Sequence, residues 1–168
     1  MMRAAGIDPG TIRTGIGILE DDGRGQFILI HAETIKADQK KPLAERLRKI
    51  HGALKEVLMI YRPETVAIEN VFFSKDFKAA VKIGEARAVA MLAALDQNIP
   101  VAEYPPARVK EAVCGNGRAH KEQVQFMIKQ MLRLKETPEP DTADALAIAI
   151  CHMNLAKWNS KKALTAVK

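Results

Sequence analysis

The stretch Ala4-Ala5-Gly6-Ile7-Asp8-Pro9-Gly10-Thr11-Ile12-Arg13-Thr14-Gly15-Ile16-Gly17-Ile18-Leu19 decides how the chain folds. Two short apolar runs flank a Pro-Gly turn, the pattern of a β-hairpin, and the first run ends on a single carboxylate, Asp8. Asp is depleted in strands, and a carboxylate beside core residues must be paired, hydrated or bound to a metal. Taken alone, Asp8 is better explained by a local Asx-type turn with Pro9 and Gly10, a common arrangement. The acids further along the chain bear on the choice.

Residues 21–25 form a turn and residues 26–35 a third β-rich run, so three antiparallel strands precede the first helix. Pro42 opens that helix, which carries Leu43, Leu47, Ile50, Leu54, Val57, Leu58 and Tyr61 at helical spacing. Thr65-Val66-Ala67-Ile68-Glu69 is then a buried-type strand that again finishes on an acid. If the two strands are neighbours, Asp8 and Glu69 lie side by side at one sheet edge, and a divalent cation would relieve their repulsion. A strand-end Glu69 that points to water is the simpler alternative.

Phe72 and Phe73, with Lys75 close behind, either fill the core or form a stacking wedge against unpaired bases. A helix from about Asp76 to Gln97 is apolar or small on much of its circumference, more than one sheet contact requires. Its surplus predicts a subunit contact or a helix buried on both sides within one chain. A fifth strand spans 99–103, a short helix opens at Pro105-Pro106 and stops at Gly115-Asn116-Gly117, and another helix runs from about His120 to Leu134. Arg108, Lys110, Arg118 and Lys121 cluster around that glycine loop, as a solvated face or as phosphate contacts. The last helix starts at Asp141-Thr142-Ala143-Asp144, with two acids on one face at the positive end of the macrodipole. Asp141 as N-cap with Asp144 in a capping-box-like position explains them without chemistry, and Mg2+ ligation explains them with it.

At 168 residues the chain fits one domain, here expected over 1–157 with a basic, loosely ordered tail over 158–168. Lys and Arg number 26 against 20 Asp and Glu, a surplus that favours polyanionic partners. Cys114 and Cys151 form no C-x-x-C pair, which argues against structural zinc and disulfide frameworks and fits a reducing cytoplasm. The longest apolar runs, 89–95 and 145–151, are too short to span a bilayer, and no signal-peptide pattern is present, so a cytoplasmic location is expected. There is no Walker-type loop and no G-x-S-x-G. What remains is an α/β chain with Asp8, Glu69, Asp141 and Asp144 on separated segments, the ligand chemistry of a two-metal phosphodiesterase.

The segments Gly6-Ile7-Asp8-Pro9-Gly10, Ala67-Ile68-Glu69-Asn70-Val71-Phe72, Lys82-Ile83-Gly84-Glu85-Ala86-Arg87, Val109-Lys110 and Asp141-Thr142-Ala143-Asp144-Ala145-Leu146-Ala147-Ile148-Ala149 occur in an order and spacing that resembles the bacterial RuvC family of Holliday junction resolvases. The resemblance implies a ribonuclease H-like fold: a five-stranded mixed sheet, three antiparallel strands then two parallel, flanked by helices. It implies a homodimer, joined through the helix from about Asp76 to Gln97, that nicks four-way junction DNA symmetrically to leave 5'-phosphate and 3'-hydroxyl ends. Asp8, Glu69, Asp141 and Asp144 match the family's ligands for Mg2+, two per site with Mn2+ as a substitute. Phe72 matches the aromatic that meets bases at the crossover, and Lys110 and Lys121 match basic residues at the scissile phosphate. Lys75, Arg108 and Arg118 are further expected DNA contacts, and RuvA and RuvB are the implied protein partners. Departures fall at Asn70, Phe73 and Asn116. A related RNA-processing nuclease of the same fold and a non-catalytic junction-binding protein are the alternatives, whereas an actin-like ATPase needs two such domains.

Overall fold

The computed structural model describes residues 2–70 and 77–165. Five strands, β1 (Arg3–Asp8), β2 (Arg13–Asp21), β3 (Phe27–Lys36), β4 (Thr65–Glu69) and β5 (Val101–Tyr104), form one sheet in the order β3-β2-β1-β4-β5. β1–β2 and β2–β3 pair antiparallel, β1–β4 and β4–β5 parallel, the mixed topology expected from the sequence. The helices are α1 (Leu43–Tyr61), α2 (Phe77–Leu95), α3 (Pro106–Cys114), α4 (Lys121–Met131) and α5 (Pro140–Thr165).

Successive side chains of a strand point to opposite faces, and the core divides accordingly. Ala5 and Ile7 of β1, Ile16 and Ile18 of β2, and Val66 and Ile68 of β4 face α1 and α2, where Ile50, Leu54, Leu58, Ala90 and Ala94 complete a buried cluster. Ala4 and Ala67 face the other way, into a second cluster built on Val109, Val124, Ile128 and Leu146 of α3, α4 and α5. By the same alternation Asp8 shares its face with Ala4, and Glu69 with Ala67.

Helix α5 lies directly on β1 and β2 because glycine lines its track. A Cβ on Gly6 would overlap the carbonyl oxygen of Ala145 and sit 2.6 Å from the Ala149 nitrogen, and one on Gly15 would overlap the carbonyl of Asp141. A hydrogen bond of 2.8 Å between the hydroxyls of Thr34 and Thr142 ties β3 to the first turn of α5. The hairpin turn is stapled by Thr14, whose hydroxyl donates to the Gly10 carbonyl at 2.7 Å.

Several boundaries differ from the expectation. Pro42 is the N-cap of α1, not its first residue: its ψ of 148° is extended, while its carbonyl accepts from Glu45 and Arg46. α2 ends at Leu95, with Asn98 left-handed (φ 57°) after it. α5 begins at Pro140, since proline suits a first turn that needs no N–H, which moves Asp141 from N-cap to the second helical position. α5 also continues past Trp158, where a loosely ordered tail was expected, as helix to Thr165. The segment Lys161-Lys162-Ala163-Leu164 consists of good helix formers. The outer side of α2 remains open: Val81, Ile83, Leu92 and Leu95 are exposed, together with Met59 and Ile60 of α1, so burial on both sides within one chain is not what the surplus apolar surface serves. Among the described residues no helix is long and apolar enough to cross a membrane.

The glycine track predicts a sharp contrast between two conservative substitutions. Gly6→Ala must push α5 off the sheet and should cost about 3 kcal/mol or more, whereas Gly52→Ala, in the interior of α1 with open space at its Cβ, should stabilise by about 0.5–1 kcal/mol. Urea unfolding of the two variants measures both.

Candidate active site

Parallel pairing of β1 and β4 sets Ile7 opposite Ile68, so the following residues, Asp8 and Glu69, emerge together at the same end of the sheet and on the α5 face. The first turns of α5 cross this end. A cavity of about 260 Å³ opens there, lined by Asp8, Glu69, Asp144, Lys110 and Lys121, with apolar walls from Pro106, Val109, Val124 and Ala147. Larger hollows elsewhere, such as that beside Lys41 and Lys49, bring together no comparable set of acids.

Electrostatics show how crowded the acids are. Burial against the apolar walls is the largest influence on Asp8. Asp144, Glu69 and Asp141 add repulsion, and together they push its carboxyl up to about 8 despite the opposing charge of Lys121. Burial, then Asp144, raises Glu69 above the usual carboxylate range, with Lys110 and Lys121 opposing. Asp144 is raised by burial even though the Lys121 ammonium lies 3.7 Å from its Oδ2; that lysine is largely exposed, and water weakens its pull.

The four carboxylates couple, but their side chains do not all converge. Asp141 lines no part of the cavity, because its Oδ2 accepts from Arg13 Nε at 2.6 Å. Among the described residues no three His, Cys, Asp or Glu side chains close around one point in the manner of a formed metal site. The donor chemistry nonetheless fits a hard divalent cation. The set is all oxygen, it is partly desolvated, and its ionised charge would exceed what Lys110 and Lys121 supply. Asp141 and Asp144 are instead turned toward Arg13 and Lys121, the cations at hand.

The basic residues separate into two groups. Lys110 and Lys121 line the cavity. Arg108 does not: it faces a groove between α3 and α5 beside Leu155 and Trp158, and its guanidinium donates to Glu111 at 3.2 Å. Arg118 is exposed on the glycine loop, its backbone N–H donating to Asn116 Oδ1 at 3.0 Å. Phe72 and Lys75 lie outside the described residues. Arg13 and Glu139 were not singled out from the sequence. Arg13 is separated from Asp141 by 128 positions, and no local pattern marks the contact.

Residues 4–152 match the family model described as crossover junction endodeoxyribonuclease RuvC. The chain is 47% identical to the crossover junction endodeoxyribonuclease RuvC of Pelotomaculum thermopropionicum over 95% of its own length and 98% of that protein. Against the protein of the same name from Desulforamulus reducens it is 45% identical, with 92% and 93% covered. The structure superposes on Thermus thermophilus RuvC in complex with Holliday junction substrate with a TM-score of 0.88 at 41% identity, covering 95% of this chain and 97% of that one. A yeast mitochondrial Holliday junction resolvase, 11% identical with a TM-score of 0.62 over 89% of this chain and 78% of its own, shares the fold.

The raised carboxyls predict a pH dependence of defined sign. Folded Asp8 holds its proton up to about pH 8, whereas the unfolded chain releases it near 3.8. Its contribution is therefore complete below pH 4 and is lost as pH rises toward 8, with Glu69 and Asp144 acting in the same direction. In EDTA, Asp8→Asn should flatten this decline and raise the Tm at pH 8 by about 4–8 °C, with a smaller gain at pH 5. Thermal unfolding of both proteins across that range is the check.

Proposed function

The chain belongs to the RuvC family of crossover junction endodeoxyribonucleases, and from that premise we propose that it resolves four-way DNA junctions with Asp8, Glu69, Asp141 and Asp144 as a metal-ligand set. The observation that carries this reading is the cavity that gathers Asp8, Glu69 and Asp144 with Lys110 and Lys121 at one end of the sheet; the repulsion among the acids, which raises the Asp8 carboxyl, supports it. A site that crowds acids and places lysines beside them is suited to a phosphate bridged to bound cations. The curated relatives are named as DNA junction enzymes over nearly the whole chain, which favours DNA over structured RNA as the substrate. The acid set also favours an enzyme over a binding protein that has kept the fold.

Two Mg2+ per site, or Mn2+ in their place, would supply an activated water and stabilise the leaving oxygen of an in-line displacement. The protein's own residues do the rest. Asp8 and Glu69 are held on the ends of adjacent strands, where backbone pairing limits their movement. Lys110 and Lys121, on different helices at the cavity, draw the scissile phosphate in and offset its charge. Pro106, Val109 and Val124 keep the cavity wall dry, which strengthens these interactions. Hydrolysis in this arrangement leaves 5'-phosphate and 3'-hydroxyl ends. Phe72 meets unpaired bases at the crossover, and Lys75, Arg108 and Arg118 contact phosphates further out.

Symmetric nicks on two strands call for two copies of the site related by a two-fold axis. The exposed apolar residues of α2 support a homodimer through that helix, with Leu92 and Leu95 among the residues to be covered. RuvA and RuvB would act with the dimer in the cytoplasm.

A labelled mobile four-way junction, incubated with and without Mg2+, tests the activity directly. Wild-type protein should nick only with the metal. Asp8→Asn should reduce nicking at least about 10³-fold while still shifting the junction in a gel; full cleavage by that variant would remove Asp8 from the ligand set. Leu92→Glu should lower the mass measured by light scattering from dimer to monomer.

A further inference from the structure

Arg13 opens β2 at the rim of the acid cluster, and its fork is divided between Asp141 of α5 and Glu139, the residue just before that helix. Nε donates to Oδ2 of Asp141 at 2.6 Å, and Nη2 donates to Oε2 of Glu139. The other oxygen of Glu139, Oε1, accepts from Lys36 Nζ at 2.9 Å. Glu139 is thereby anchored to β3 while it holds Arg13. Asp141, by contrast, has Arg13 as its only ion-pair partner among the described residues, and that pairing accompanies its absence from the cavity lining.

A guanidinium keeps its charge at any working pH, so the pair with Asp141 opens only by movement. An oxygen shared with Arg13 is a poor ligand for a divalent cation, because guanidinium and ion would then repel at close range. Glu139 gives the side chain somewhere to remain once it leaves Asp141. We propose that Arg13 is a positioning residue that competes with a divalent cation for the Asp141 carboxylate, with Glu139 retaining the guanidinium when the ion binds. This rests on the reading of the four acids as metal ligands. It assigns a role to an exposed arginine outside the cavity: in the free protein Arg13 neutralises the one acid that Lys110 and Lys121 do not face, and it makes occupancy at Asp141 dependent on the concentration of metal.

The test uses the full chain without DNA and reads binding, not cleavage. Calorimetric titration with Mn2+ should give a Kd about two- to five-fold lower for Arg13→Gln than for wild type, the range over which a partly exposed ion pair competes. An effect of net charge alone would produce part of that change, so a second measurement follows the guanidinium itself. In wild-type protein the Arg13 Nε–H resonance should shift during a Mg2+ titration with the same midpoint as metal binding, because its hydrogen bond to Asp141 is lost. A resonance that stays in place while Mg2+ binds overturns the proposal, as does an unchanged or weaker Mn2+ affinity in Arg13→Gln. The resonance test needs no variant, so misfolding of Arg13→Gln would leave it intact. Asp8→Asn separates the two levels of the argument. If it loses Mn2+ while Arg13→Gln binds as wild type does, only the role of Arg13 fails; if it binds Mn2+ as tightly as wild type, the metal-ligand reading fails and the Arg13 proposal with it.

Discussion

The site depends on how closely the backbone of α5 can approach β1 and β2. Gly6 and Gly15 remove the side chains that would otherwise stand between helix and sheet, and Ala145 and Asp141 occupy that space with backbone atoms. A helix packed on ordinary side chains sits about 10 Å from a sheet; here the first turns of α5 come down onto the strand that carries Asp8. By this contact Asp144 reaches the cavity and Asp141 comes to its rim. The other two reach it by register, because the parallel pairing of Ile7 with Ile68 brings both strand ends out side by side.

This assembly sets like charges against one another, and burial makes the conflict worse. For Asp8 the desolvation of a partly enclosed carboxyl outweighs the pull of Lys121, and three neighbouring acids push in the same direction as the burial. The surrounding cations respond locally. Lys121 approaches Asp144 and Arg13 takes Asp141, so the acids nearest solvent find partners while Asp8, beneath them, keeps a proton. Stability has been given up here for a concentration of negative charge that only a cation or a change of protonation can relieve.

Much of this was legible in the chain itself, for identifiable reasons. The hairpin followed from the Pro-Gly turn between alternating apolar residues, and β4 from a short buried run ending at Glu69, so the pairing of two strand-end acids could be anticipated. Lys110 and Lys121 were legible as a basic cluster by the glycine loop. Arg108 was grouped with them, although residues two apart on a helix point to opposite sides; α3 sends Lys110 into the cavity and Arg108 toward Trp158. The contact of Arg13 with Asp141 could not be read, because it joins the second strand to the last helix and no spacing rule spans that distance. Nor does a glycine in a strand announce which helix will lie on it. The extent of α5 was misjudged because apolar periodicity stops near Trp158, whereas helix propensity continues through Lys161-Lys162-Ala163-Leu164.

The order of elements along the chain adds one more consequence. The strands that carry Asp8 and Glu69 are complete by residue 69, but α5, which supplies Asp141 and Asp144, is the last of the described elements and packs against the first two strands. The acid cluster therefore exists only once α5 has docked: a folding intermediate that holds the sheet but not this helix lacks two of the four acids.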